Sequence, residues 1–236
     1  MKYLYGPLHS RRLGLSLGIT LTPYKICSFD CIYCQLGKTT KLTTKQKEYV
    51  KIKDILAELK QYLKTAKKIP NYISFSGYGE PTLNLKFGRL IQEIKKITDI
   101  PICVITNSSL FGDRIIRKAL LGANLVVPSL DAIDEKIFKE IDKPVFGIKI
   151  KDIINGLIKF RQEFKGEIWL EVMILKDLND SLDYARQLKK VIEEIQPDRI
   201  QLNSPIRKPK DSIAKLVSLS RLKKIKKILG KNCEII

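Results

Sequence analysis

Segments rich in β-branched and aromatic residues alternate with helix-patterned segments along nearly all of this 236-residue chain, and that alternation restricts the fold most. Residues 6–20, 72–76, 102–107, 125–127, 168–175 and 199–203 read as six strands. Between them apolar residues recur at helical spacing. Ile55, Leu59, Tyr62 and Leu63 predict a helix over about 52–66, Phe87, Leu90, Ile91 and Ile94 a second, and Ile115, Ile116 and Ala119 a third. Further helices are predicted at about 134–141, around Ile150, Ile153, Leu157 and Ile158, around Leu182, Leu188 and Ile195, and over 212–229. The connections are long enough for right-handed parallel crossovers, so the reading is α/β with a parallel sheet. Eight such units close a barrel, and six leave it open.

Three thiols fall within one short stretch, Cys27-Ser-Phe-Asp-Cys31-Ile-Tyr-Cys34, which the first strand would deliver at its carboxyl end. Thiolates are soft anionic ligands suited to iron–sulfur clusters or zinc. A structural zinc is normally closed by four ligands, and no fourth Cys or His stands nearby. A cubane held by three cysteines instead keeps one iron open to a ligand that is not protein. Zinc and three unrelated buried thiols are the alternatives. Cys103, inside an apolar run, reads as a small buried hydrophobe. Cys233 reads as part of a short tail, and His9, beside Arg11 and Arg12, as a solvated loop histidine. The two arginines suit a carboxylate or phosphate, with surface charge the simpler account.

The second strand runs into Gly77-Tyr78-Gly79-Glu80-Pro81, whose glycines and proline imply a sharp turn with exposed backbone. Thr106, Asn107, Ser129, Asp131 and Asn203 fall at predicted strand ends, where ligands bind in parallel-sheet folds. A loop hydrogen bond or cap explains each as well. Glu171 falls in mid-strand, and if buried it needs a partner.

No apolar run approaches the ~18 residues of a membrane span, and the first residues lack the apolar core of a secretion signal. The expectation is a single cytoplasmic domain over 1–236 with no disulfide framework. Lys and Arg number 44 against 25 Asp and Glu, a net charge of +19. Such an excess suits a phosphate-rich partner or reflects a lysine-heavy proteome. Its densest part is 207–231, where Asp211 is the single acid.

The pattern Cys-x3-Cys-x2-Cys, with Tyr33 before the last cysteine, resembles the signature of the radical S-adenosylmethionine (radical SAM) superfamily. The resemblance implies a partial (β/α)6 barrel over nearly the whole chain and a 4Fe-4S cluster on Cys27, Cys31 and Cys34. S-adenosyl-L-methionine would chelate the open iron. An external flavodoxin- or ferredoxin-like donor would supply the electron that yields methionine and a 5'-deoxyadenosyl radical. The 77–80 stretch resembles the Gly-Gly-Glu-Pro motif that receives the cofactor's amino group, with Tyr78 where glycine is usual. On that reading Gly77, Tyr78, Gly79 and Glu80 meet the methionyl part, Thr106 and Asn107 face the ribose or methionyl part, and Tyr33 lies near the adenine. Ser129, Asp131 and Glu171 complete the expected cofactor contacts. Substitution at Gly79 is then expected to affect cofactor binding more than cluster assembly.

The strings Gly-Pro-Leu-His-Ser-Arg-Arg-Leu-Gly and Gln-Leu-Asn-Ser-Pro-Ile-Arg resemble a largely uncharacterised group near the wyosine-base synthases that modify transfer RNA. Those synthases carry further cysteines before the shared motif, and residues 1–26 here have none. The expected substrate is an RNA nucleotide. A small metabolite, peptide or cofactor precursor is the alternative, as is a non-enzymatic metal- or cluster-binding RNA adaptor.

Overall fold

The structure, a computed structural model, describes residues 1–205 and 213–236. The chain opens as a hairpin of β1 (Leu4–Ser10) and β2 (Gly14–Ile19), not as the one strand predicted over 6–20. Gly14 takes a φ of +65°, and the Ser10 hydroxyl accepts the N–H groups of Arg12 (3.2 Å) and Leu13 (3.3 Å). Together these reverse the chain where a continuous strand needs extended backbone. His9 therefore lies in a strand, exposed and paired with Leu15, instead of in a loop.

Two short strands, β3 (Ile26–Cys27) and β4 (Lys41–Leu42), bracket the cysteine segment. Then follow α1 (Ile52–Thr65), β5 (Tyr72–Phe75), α2 (Phe87–Lys95), β6 (Ile102–Thr106), α3 (Arg114–Leu120) and β7 (Leu125–Pro128). The rest comprises α4 (Glu135–Ile141), α5 (Ile150–Glu163), β8 (Glu167–Met173), α6 (Leu182–Ile195), β9 (Arg199–Asn203), α7 (Leu219–Leu229) and β10 (Cys233–Ile235). Asp113, Asp134, Ser181 and Ser218 cap α3, α4, α6 and α7 by accepting first-turn N–H groups.

The main sheet runs β1-β2-β5-β6-β7-β8-β9-β10. Its middle six strands run parallel and in sequence order; five are the predicted ones and β2 is the second half of the predicted first strand. β1 pairs antiparallel at one edge and β10 parallel at the other. Three residues carry no readable period, which is why a tail is predicted where β10 forms; Cys233 is 2% exposed and pairs with Ile200. The last helix begins at Leu219, because Ser218 takes the N-cap position and 213–218 are irregular. Arg207, Lys208, Lys210 and Asp211 of the basic segment lie outside the described residues.

Alternation along the strands divides their side chains between two layers. Leu17, Ile19, Ile73, Phe75, Val104 and Leu170 join one cluster with the apolar helix faces. Cys103, Leu125, Val127 and Trp169 form a separate cluster with Leu13 from the hairpin tip. Cys103, Leu125 and Trp169 fall in the amino-terminal parts of their strands, and with Val127 and the hairpin tip they make an apolar floor. Burying each of the larger side chains contributes roughly 1.5–3 kcal/mol. The floor leaves the carboxyl ends for polar groups.

Candidate active site

The cysteine segment is anchored on two sides. At its base Lys25, only 2% exposed, directs Nζ to the Gly37 carbonyl and to Asp30 (3.7 Å). The Lys25 carbonyl accepts N–H groups from Thr40 (3.1 Å) and Lys41 (3.4 Å), and the Cys27 carbonyl that of Thr43 (2.9 Å). On the far side the Asp30 N–H donates to the carbonyls of Asp142 (3.0 Å) and Lys143 (3.2 Å), and that of Ile32 to Ile141 (2.9 Å). The Cys34 N–H donates to the Cys31 carbonyl (3.1 Å), a tight turn between the second and third thiols. Cys31 Sγ donates to Asp142 Oδ1 (3.4 Å), and Asn107 Nδ2 donates to Cys27 Sγ (3.5 Å) and Ser28 Oγ (2.9 Å).

The 77–80 turn sits against that loop. Glu80, 2% exposed, is saturated by its own chain. Its Oε1 accepts from Thr82 N (3.0 Å), Thr82 Oγ1 (2.6 Å) and Thr106 Oγ1 (2.7 Å), and its Oε2 from Asn107 N (2.7 Å). The carboxylate thus ties the turn to the end of β6. A Cβ on Gly79 would lie 2.0 Å from the Ile26 carbonyl oxygen, next to Cys27. That close approach requires glycine for packing against the cysteine segment, a reason distinct from exposure of backbone to a ligand. Gly77 holds a φ of +107°. Tyr78 turns its ring outward, toward Tyr24, so a side chain fits where the related motif has glycine.

Tyr33 donates its hydroxyl to Asp131 Oδ2, and Asp131 Oδ1 accepts the Met173 N–H (2.8 Å). Asn179 Nδ2 bonds the carbonyls of Asp131 (2.8 Å) and Met173 (2.8 Å), locking the ends of β7 and β8 together. Phe29, Tyr33, Asn107, Ser129, Asp131 and Asp142 line one recess beside the thiols. Glu171 lies apart from them. Its Oε1 pairs with Arg12 Nη2 and accepts from Asn203 Nδ2 (3.2 Å), so the partner its burial requires comes from the hairpin.

Burial dominates the electrostatics. It pushes the Cys27 thiol up to about 12, with Glu80 adding to the shift, and Cys31 well above the thiol range, with Asp142 adding. It also raises Asp131 to about 7 and holds Asp142 well above the carboxylate range, the Asp131 charge adding. Glu80 is raised by burial against the pull of its hydrogen bonds, and Tyr33 by burial and then by Asp131. These groups resist negative charge until a cation joins them, and a coordinated metal reverses that balance by deprotonating thiols outright.

Among the described residues no three His, Cys, Asp or Glu side chains converge tightly enough for one metal ion. The three thiols nevertheless feel one another: charge on Cys27 and on Cys34 raises Cys31, and charge on Cys34 raises Cys27. Three soft donors without a fourth suit a cluster with one open iron better than a closed structural zinc. Sequence reasoning missed Lys25, Ser28 and Asp142 and discounted Arg12. Lys25 stands two residues before Cys27 and was open to notice; Asp142 gives no local signal.

The family model described as the Radical SAM superfamily matches residues 21–188. The chain is 47% identical over 234 residues to a protein named GTPase Obg from Brachyspira hyodysenteriae, covering 99% of this chain and 34% of that protein. The chain thus spans about a third of that relative. Its Gly37-Lys38-Thr39 resembles the end of a phosphate loop, but Ile32 stands where such a loop requires its first glycine. A UPF0026 protein of Methanocaldococcus jannaschii is 35% identical, covering 98% of this chain and 74% of the relative. A dual-specificity RNA methyltransferase RlmN of Helicobacter pylori is 29% identical, covering 70% and 50%. Among solved structures, a radical SAM methyltransferase from Sphaerobacter thermophilus superimposes with a TM-score of 0.71 at 17% identity, covering 94% of this chain and 65% of that one. TYW1 with a lysine-pyruvate adduct bound gives 0.67 at 18% identity, covering 91% and 72%.

Proposed function

This chain belongs to the radical SAM superfamily and to the UPF0026 family, and from that premise we propose that it cleaves S-adenosyl-L-methionine reductively and directs the radical at a nucleotide in RNA. That it is a radical SAM enzyme follows from the family and the fold; cluster, cofactor contacts and substrate are the proposal. The observation that carries it is the set of three thiols on one anchored loop beside the carboxyl ends of a parallel sheet, with Asn107 donating to the Cys27 sulfur. When bound, a 4Fe-4S cluster on Cys27, Cys31 and Cys34 would pass an electron from a flavodoxin- or ferredoxin-like donor to the cofactor's sulfonium, giving methionine and a 5'-deoxyadenosyl radical.

The chain's own residues hold and shield that centre. Asn107 donates to the Cys27 sulfur, a bond of the kind that tunes a thiolate ligand. Glu80 binds the 77–80 turn to β6, keeping the backbone of Gly77 and Tyr78 beside the cysteine segment for the cofactor's amino group. Asp131 fixes the Tyr33 ring, and Ser129 and Asn107 offer hydrogen bonds within the same recess. Glu171, with its carboxylate on Arg12, acts by position. RNA is favoured by the +19 charge and by the similarity to proteins named as RNA methyltransferases.

Anaerobic reconstitution tests the reading. One four-iron cluster per chain, with methionine and 5'-deoxyadenosine after reduction, is expected. Stoichiometric zinc without iron would refute it. A chain that binds iron and leaves the cofactor intact would be the adaptor instead.

A further inference from the structure

Beside the mouth, on the outer side of the 77–80 turn, two tyrosines stand out from the surface. Tyr24 is 52% exposed and Tyr78 45%, with ring centroids 5.5 Å apart and planes tilted by 54°. They form one wall of a groove that Tyr3, Tyr49, Lys2 and Lys51 also line, with Asp54 as its acid. Lys47 stands over the Tyr49 ring at 4.8 Å. An exposed aromatic pair is costly to leave in water, and bordered by lysines it has the chemistry of a stacking platform beside a phosphate track.

The groove borders loops of the candidate active site. Tyr24 donates its hydroxyl to the Leu36 carbonyl (2.8 Å), just beyond Cys34, and Tyr78 belongs to the turn held by Glu80. Both tyrosines thus stand on the outer sides of loops whose inner sides form the mouth. We propose that this groove binds single-stranded RNA, with bases stacked on Tyr24 and Tyr78 and phosphates on Lys2 and Lys51, and so leads an unpaired nucleotide to the barrel mouth. The inference rests on the RNA reading above and gives it a location. It also accounts for a tyrosine where glycine is usual: its backbone serves the turn, and its ring serves the substrate.

The test measures binding of the reconstituted full chain to an oligouridylate of about 12 nucleotides, within the length such surfaces cover, and to an abasic polymer of equal length and charge. Tyr78→Ala should weaken oligouridylate binding roughly tenfold, leave the salt slope unchanged and leave abasic binding alone. Tyr78→Phe should bind like the parent. Lys2→Gln and Lys51→Gln should each lower the salt slope by about 0.7 on both polymers. If oligouridylate binds well above the abasic polymer and Tyr78→Ala stays within twofold of the parent, the groove is wrong and the RNA reading stands. If RNA binds no better than the abasic polymer, the RNA reading fails and the groove with it. If Tyr78→Ala impairs reduction by an acidic flavodoxin while RNA affinity holds, the surface docks a protein and the proposal is overturned.

Discussion

At the floor of the sheet, Leu13, Cys103, Leu125, Val127 and Trp169 fill the lumen with apolar side chains. At the carboxyl ends the same sheet gathers three thiols, Glu80, Asp131 and Asp142, most of them raised by burial. The floor follows the ordinary rule that apolar surface is hidden; the mouth keeps ionisable groups where they cost stability, as functional sites do. Cys103 and Cys27 show the difference. Both are thiols made unfavourable to ionise by burial, but Cys103 packs with Leu125, Val127 and Trp169 and is influenced by the Arg12 charge, whereas Cys27 has Asn107 aimed at its sulfur. Burial of a thiol is not a sign of chemistry; a directed polar partner is.

Substitutions can break this contrast. The largest effect is expected at the thiols: Cys27→Ala, Cys31→Ala or Cys34→Ala should remove cluster iron, assayed as iron and sulfide per chain, while Cys103→Ala and Cys233→Ala should retain it. Gly79→Ala comes next. Because its Cβ would collide with the Ile26 carbonyl, iron retention should fall along with cofactor binding, where the sequence alone had pointed to the cofactor first.

Arg12→Met leaves Glu171 buried without its cation, and unfolding in denaturant should show a loss of roughly 3–5 kcal/mol. Arg12→Met with Glu171→Met should recover most of it. Asp131 offers a titration. An acid raised to about 7 in the fold, against about 3.9 when unfolded, means that the native state binds more protons between those values. Asp131 should therefore make stability of the metal-free chain fall as pH rises through that window, contributing at most about 1.4 kcal/mol per pH unit beside Asp142 and Glu80, and Asp131→Asn should lessen the slope. Least is expected from Lys223, Lys224, Lys226 and Lys227 changed together to Gln. They are exposed on α7, and the unfolding free energy should move by only a few tenths of a kcal/mol per site.

The middle of the sheet was legible because its strands are long enough to show period and are bounded by turn formers. The edges were not: Gly14 and Ser10 reverse the chain inside an apparently continuous strand, and β10 is too short to read. At the site, the thiols announce themselves by spacing, and the 77–80 turn by its glycines. What local sequence cannot show is direction and pairing. It could not tell that Glu80 faces inward to Thr106 and Asn107, that Tyr78 faces out, or that Glu171 is answered by Arg12, 159 residues away. Carboxylate partners across a sheet are chosen by register, which only the folded topology supplies. Among the described residues no helix is long and apolar enough to cross a membrane.

The wall that braces the cysteine segment has a consequence for how the protein is made. Cys31 and Asp142 are 111 residues apart, so a ribosome adding about 5–20 residues per second delivers the second roughly 6–22 s after the first. During that interval the thiols emerge without the carbonyls of Ile141, Asp142 and Lys143 that fix their loop. A nascent chain thus presents its cysteine segment early and unsupported. On the proposed reading, stable acquisition of a metal centre waits at least until residues 141–143 have been made.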